Sequence, residues 1–320
     1  MPYDKPMSNK AIPLLSKVGG EVFNIKRFAY PDDKTWSLFN PSIGSSPQGY
    51  AITFRSSNYV IMPESGELSV QTGGPIKNKM FFTETNENME LLDLREISFK
   101  DSGLFVTRGV EDAKLFWRHE KWYFSAVVME QHTPVARMAI FTLDPKNNTA
   151  KVDHMYKGQN PRKPEKNWMI PSKPNPNFDF IHGPTSIGKG TQIIFNESNN
   201  LKIAPLRGNT NLLDLNDGTY LAVVHILYTT KTRTYDARMF GMRDGLNKDY
   251  THLFARYDER GQLIELSEEF KFIGPGIEFA AGMVEMGDDL VITFGKDDAS
   301  SHYARIPKSK ALRMLVAVDS

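Results

Sequence analysis

The sequence predicts an all-β protein, for which a five-bladed β-propeller is one arrangement that fits, and three observations carry the all-β expectation. Apolar and aromatic residues fall in short runs of strand length rather than at the 3.6-residue spacing of long amphipathic helices. Gly, Pro, Asn and Asp bound most of these runs, which is the turn chemistry that strand ends require. Four stretches, "PQGYAITFRS", "HEKWYFSAVV", "NDGTYLAVVH" and "MGDDLVITFG", share one layout: a polar turn, then a strand closing on a polar or small residue. Their spacing is uneven but compatible with repeated four-stranded blades, five of which fill residues 1–320 as one domain with terminal extensions closing on it. The competing arrangement is a pair of β-sandwiches or a set of unrelated hairpins.

Each element follows from its own composition. YAITF (50–54) and AKLFW (113–117) leave turns and turn apolar at once. KWYFSAVVM (121–129) and RMAIFTL (137–143) have the β-branched and aromatic content of central strands, as do FDFIH (178–182) and TQIIF (191–195). TYLAVVHIL (219–227), HLFARY (252–257) and DLVITF (289–294) complete the series. Between them, "KGQNPRKPEKNWMIPSKPNPN" (157–177) is too rich in Pro, Lys and Asn to be regular throughout. Its Trp168 and Met169 are large apolar groups in a polar loop, which predicts a segment folding back over something.

Composition excludes several classes. With 39 basic and 38 acidic residues, no global charge points to nucleic acid or a membrane surface, although nucleic acid is not excluded as an acceptor. The absence of cysteine removes disulfides and thiolate chemistry and fits a reducing, cytoplasmic setting. No apolar stretch approaches the roughly 18 residues of a membrane span, and the sequons at Asn147 and Asn196 read as chance matches. There is no nucleophile elbow, Walker phosphate loop, zincin helix or dinucleotide fingerprint, and the histidines lack metal-ligand spacing, so no metal site is expected.

Chemistry concentrates on "RGVEDAKLFW" (108–117), where Glu111 and Asp112 stand at the start of an apolar run. Strict strand alternation sends adjacent side chains to opposite faces, so only one of the two acids is expected to face any given cleft. A turn acid beside a solvated neighbour is the bland alternative; a general acid or base at a strand entrance is the functional one. Arg137, His225 and Tyr250 stand at strand ends and Lys166 lies in "EKNW", and as a set they suit a phosphate: a planar fork, a point charge and two directional hydrogen-bonding groups.

The order of these residues resembles the five-bladed propeller enzymes of glycoside hydrolase family 130, the inverting β-mannoside phosphorylases and hydrolases, and the related β-mannosyltransferases of glycosyltransferase family 108. "FNPSI" (39–43) with "YAITFR" (50–55) is similar to the first-blade Asn-Pro element and its following Arg, and "GVEDAKLF" to the Gly-x-Glu-Asp-Pro-Arg element bearing the catalytic Asp. Arg137, Lys166 and His225 fall at family phosphate-site positions, Tyr250 and Asp258 keep a Tyr-x7-Asp spacing, and "FGKDD" (294–298) resembles the closing Tyr-Gly-x-x-Asp. The sequence departs from the pattern at Ala113 and Lys114, and by "TTKTRTYDARMFGMRDGLNKD" inserted between His225 and Tyr250.

The resemblance implies Asp112 as the catalytic carboxylate, and Arg137, Lys166, His225 and Tyr250 as the phosphate set. Asn40, Arg55 and Asp298 would contact sugar hydroxyls, with Trp168 as a stacking or lid residue unless it is plain core. An enzyme whose entering or leaving group is a phosphate needs one carboxylate, whereas an inverting hydrolase needs two, for which Glu278 and Asp297 are candidates. The expected activity is an inverting glycosyltransferase using a sugar phosphate or nucleotide sugar and a carbohydrate or other hydroxyl acceptor. A β-mannoside phosphorylase is the alternative, followed by a hydrolase or a non-catalytic carbohydrate-binding propeller; a protein-interaction scaffold is a further class. No cofactor is required, and a nucleotide-diphosphate donor is the one case that would bring a divalent metal.

Overall fold

The computed structural model describes residues 11–25, 36–62, 68–100, 109–129, 135–156, 166–182, 186–189, 192–195, 206–236 and 241–318. In chain order the strands are β1 (Glu21–Asn24), β2 (Ser37–Ser46), β3 (Gly49–Ser57), β4 (Tyr59–Ile61), β5 (Leu68–Val70), β6 (Asn78–Thr85), β7 (Arg95–Glu96), β8 (Ser98–Phe99), β9 (Val110–Arg118), β10 (Lys121–Met129), β11 (Ala136–Asp144) and β12 (Thr149–Met155). They continue with β13 (Phe180–His182), β14 (Ser186–Lys189), β15 (Gln192–Phe195), β16 (Leu206–Gly208), β17 (Leu213–Asp214), β18 (Tyr220–Asp236), β19 (Gly241–Tyr257), β20 (Leu263–Leu266), β21 (Glu278–Met286), β22 (Asp289–Lys296), β23 (Ser300–Pro307) and β24 (Val316–Ala317). One short helix, α1 (Lys308–Arg313), follows β23. The expectation of an all-β chain holds.

The first sheet runs β2-β3-β6-β7, with β4 and β5 forming a separate hairpin inserted between β3 and β6. The second is β9-β10-β11-β12 with β8 at its outer edge, and the third is β13-β14-β15. The fourth is β16-β18-β19-β20, with β17 beside β18 and β24 outside β20; the fifth is β21-β22-β23, completed by β1. Pairing of β1 with β23 ties the start of the described chain to its last sheet.

The apolar clusters lie between sheets, which makes the arrangement propeller-like. Ala51, Met80 and Phe82 of the first sheet pack on Leu115, Trp122 and Phe124 of the second. Phe116 and Met138 of the second meet Trp168 and Phe180 at the third, and Met169 and Ile181 there meet Val224 and Leu253 of the fourth. Val223 and Phe254 of the fourth pack on Leu290 and Phe294 of the fifth, and Val284 and Val291 of the fifth return to Ile43 and Phe54 of the first. Each sheet therefore buries both faces, consistent with its near-continuous apolar strands.

The inner strands crowd together, and β2 packs between β9 and β21. Gly282 is required there: a Cβ would stand 2.3 Å from the backbone nitrogen of Ile43. Each of these three strands carries a bulge near its start. Asn40 and Pro41 together oppose one residue of β3, Asp112 and Ala113 oppose one residue of β10, and Ala281 is the extra residue of β21. Bulges re-aim side chains and are common beside active sites.

Candidate active site

The three bulged ends open on a cavity of about 280 Å³ lined by Asn40, Arg55, Glu111, Asp112, Tyr250 and Asp298, among others. Asn40, Asp112 and Asp298 all hold positive φ, at 46°, 52° and 49°. Asn and Asp tolerate that region better than other non-glycine residues, and its concentration here marks backbone held out of its usual minimum. Gly295 makes room for the arrangement, since a Cβ there would lie 2.1 Å from Asn40 Oδ1.

Asp112 is anchored through one oxygen. Its Oδ1 accepts a hydrogen bond from Asn40 Nδ2 at 2.9 Å and from the Arg55 guanidinium at 3.0 Å. Among the described residues no hydrogen bond reaches Oδ2. Burial pushes the Asp112 carboxyl up, but Arg55, the Asn40 hydrogen bond and Lys166 outweigh it and hold it below the usual carboxylate range. Asp298 goes the other way. Burial and the neighbouring Asp112 charge raise it, despite Arg55 and a 2.6 Å hydrogen bond from the Tyr59 hydroxyl.

Glu111 corrects the alternation argument. It also lines the cavity, lies 3.4 Å from Arg55 and accepts a 3.1 Å hydrogen bond from Asn78 Nδ2. The bulge at Asp112 and Ala113 breaks strict alternation, so both acids turn toward Arg55. Arg55 is thus the hub of three carboxylates, and burial, which would lower its pKa, is overcome by Glu111, Asp112 and Asp298.

Three cations, Lys166, Arg207 and Lys248, line the same cavity. Among the described residues none of their side chains makes a hydrogen bond or ion pair, and all three residues are exposed. Tyr250 lies with them, its hydroxyl pushed up to about 12 by burial and by the Asp298 and Asp112 charges against the pull of Arg207. A larger concavity at the opposite ends of β2, β9 and β21, about 360 Å³, differs in that its Lys173 is spent on Asp214 at 2.9 Å and its Glu285 on Lys308.

Of the residues expected from sequence, Asn40, Arg55, Asp112, Lys166, Tyr250 and Asp298 meet in this cavity. Three do not line it. Trp168 is core: 1% exposed, it stacks on Phe180 at 3.7 Å between ring centroids, because its segment packs into the seam between the second and third sheets. Arg137 is buried at the cavity end of β11, two strands out from β9. His225 is buried behind Tyr250, its ring stacked on the tyrosine at 4.6 Å, and burial holds it neutral, with His252, Arg207 and Lys114 adding to the effect.

The candidate second carboxylates are also scaffold. Glu278 is fully buried and accepts the backbone N–H groups of Phe272, Ile273 and Gly274, while Asp297 caps Ile277 at 2.8 Å. Asp258 closes the turn after β19 through the N–H groups of Arg260 and Gln262. Arg207 and Lys248 were missed by sequence reasoning. "LRG" is too short to read as a strand, and Lys248 sits in the insertion.

Lys114, at a departure from the family pattern, is 1% exposed and donates to the Trp168 carbonyl at 2.5 Å. Burial brings its pKa down to about 7, against an upward pull from Asp112; His225 is the other titratable group it faces. The folded state therefore binds fewer protons than the unfolded chain between about pH 7 and the ordinary value of 10.5, so stability gains with rising pH across that window. Urea unfolding of wild type and Lys114→Met at pH 7 and 9 should show the wild type gaining on the variant, by at most about 1.4 kcal/mol per pH unit. A constant difference would mean that Lys114 is not shifted.

No family model matches the sequence, nor does any curated protein. Solved structures do. A β-1,2-mannobiose phosphorylase from Listeria innocua superposes with a TM-score of 0.57 at 13% identity, covering 89% of this chain and 94% of that one. The chain has the fold of the mannoside phosphorylases. A mannose phosphorylase from Leishmania mexicana, solved with phosphate, matches at TM-score 0.52 and 10% identity over 90% and 88% of the two chains. A GDP-Man-dependent mannosyltransferase from the same organism matches at 0.53 and 12% over 94% and 93%. At these identities the likeness is one of fold. Among the described residues no helix is long and apolar enough to cross a membrane.

Proposed function

We propose that the protein is an inverting glycosyl-transfer enzyme acting between a sugar bonded to a phosphate group and a hydroxyl acceptor, on a propeller whose five sheets are five blades. The observation that carries this reading is one cavity holding both a carboxylate, Asp112, whose Oδ2 takes no hydrogen bond among the described residues, and three exposed cations, Lys166, Arg207 and Lys248, whose side chains pair with none of those residues. In the synthetic direction Asp112 Oδ2 takes the proton of the acceptor hydroxyl, whose oxygen attacks the anomeric carbon. The bond to the phosphate oxygen breaks, and that oxygen leaves with the electron pair, its charge met by the cations and Tyr250. Asn40, Arg55 and Asp298 hold the sugar hydroxyls. Should the donor be a nucleotide-diphosphate sugar, any divalent metal would enter with it.

The same groups serve phosphorolysis in reverse, and the phosphate-bound neighbour favours that second reading with mannose as the sugar. A panel of sugar 1-phosphates and nucleotide sugars, followed by phosphate or nucleotide release, separates the two directions and names the donor. Arg207→Ala should weaken binding of inorganic phosphate about tenfold or more, the cost of a charged hydrogen bond. Glycoside hydrolysis proceeding without phosphate, together with unchanged phosphate affinity in Arg207→Ala, would sink the proposal.

A further inference from the structure

The cavity has an apolar wall that the proposed reaction leaves unused. Ile61 on β4 and Leu68 on β5 are register partners, so their side chains share one face of the hairpin, and both line the cavity with Ile76. Leu68 is 51% exposed and the adjoining Met62 37%. Aliphatic side chains left open at the mouth of a polar cavity mark a contact surface.

The wall is built rather than incidental. Asn58, 1% exposed, clamps the base of the hairpin: its Nδ2 donates to Thr72 Oγ1 at 2.8 Å and to the Pro75 carbonyl at 3.2 Å, and its Oδ1 accepts from Lys77 N–H at 2.8 Å. Tyr59 of β4 reaches Asp298 inside the cavity, which fixes the hairpin relative to the sugar-contacting side.

Its place in the ring says what it meets. The hairpin is inserted between β3 and β6 of the first sheet, whose inner strand lies between those of the second and fifth. Arg207 and Lys248 come from the fourth sheet, and Lys166 from the segment leading into the third. Cations and apolar wall therefore face each other, with Asp112 of the second sheet between them. An inverting displacement puts entering and leaving groups on opposite faces of the anomeric carbon. With the phosphate on the cations, the hydroxyl partner lies toward the hairpin.

From this juxtaposition we infer that the hydroxyl partner carries an apolar aglycone, an alkyl or aryl group, which packs on Ile61, Leu68 and Ile76. The inference rests on the proposed reaction. Calorimetric titration of the full chain with methyl and hexyl β-mannosides and β-glucosides tests it, beside a titration with inorganic phosphate. The hexyl glycoside of the preferred sugar should bind about tenfold tighter than the methyl one, since each buried methylene adds affinity. In the double variant Ile61→Ser/Leu68→Ser that ratio should collapse toward one while phosphate affinity stays unchanged.

Equal affinity for methyl and hexyl glycosides, or binding of neither, overturns the inference. So does an undiminished ratio in the variant, or a change in its sedimentation without a change in hexyl affinity, which would make the wall a surface for a second copy. Phosphate binding with no hexyl preference removes the aglycone alone; failure to bind phosphate removes the proposed reaction as well.

Discussion

Asp112→Asn should lower the rate of glycosyl transfer by roughly 10² to 10⁴, the range for loss of a positioned general acid or base, while leaving phosphate affinity intact. The substitution is close to isosteric. An amide oxygen at Oδ1 can still accept from Asn40 and Arg55, so the bulge and the positive φ keep their supports. What is lost is the basicity of the outward oxygen. Arg55 and Asn40 hold the wild-type carboxyl below the usual range, so it stays ionised through neutrality and is lost as a base only when the pH falls below that range. The rate of the synthetic direction should accordingly be flat on the acid side of neutrality down to an unusually low pH. Near-wild-type turnover by Asp112→Asn would dismiss Asp112 as the proton acceptor.

How much of this was legible in sequence depended on whether local pattern or tertiary placement set the outcome. Strand-length runs such as KWYFSAVVM became strands because they are buried on both faces, and a run of that kind announces itself. Asp112 stands out at a strand entrance, whereas Asn40 and Asp298 came only from the resemblance of "FNPSI" and "FGKDD" to family elements. Bulges were invisible, since one extra residue in a strand leaves no compositional trace, and the relation of Glu111 to Arg55 followed from one of them. The insertion after His225 proved harmless for a geometric reason. It lengthens both arms of the β18–β19 hairpin equally, so the register still sets Leu227 opposite Tyr250 and stacks that ring on His225. Arg137 does not line the cavity because a strand-end position in sequence does not reveal distance from the axis, and for Trp168 the core alternative is the one the packing takes. Arg207 was overlooked because the three residues "LRG" ahead of "NTN" carry no periodicity.

Arg55→Met should destabilise the protein by about 3–5 kcal/mol at pH 7, the usual cost of removing one partner from a buried charge cluster. Its Nε donates to Asn78 at 2.9 Å, its terminal nitrogens face Asp112 at 3.0 Å and Glu111 at 3.4 Å, and its plane lies 5.2 Å from the Phe39 ring centroid. Without it, Asp112, Asp298 and Glu111 crowd the cavity and lose the guanidinium that offsets their charge. The Asp112 pKa, now held below its unfolded value, would rise above it. The sign of its pH dependence then reverses: in wild type the carboxylate contributes stability that is lost as pH falls, whereas in the variant protonation relieves repulsion. The gap between the two proteins in urea unfolding should therefore narrow from pH 7 toward pH 4. Adding Asp112→Asn to Arg55→Met should cost less than the sum of the single changes, because one removes the charge that the other leaves unpaired. A gap independent of pH, with additive costs, would mean that Arg55 acts by packing alone and that the acids at this site are kept ionised by something other than its charge.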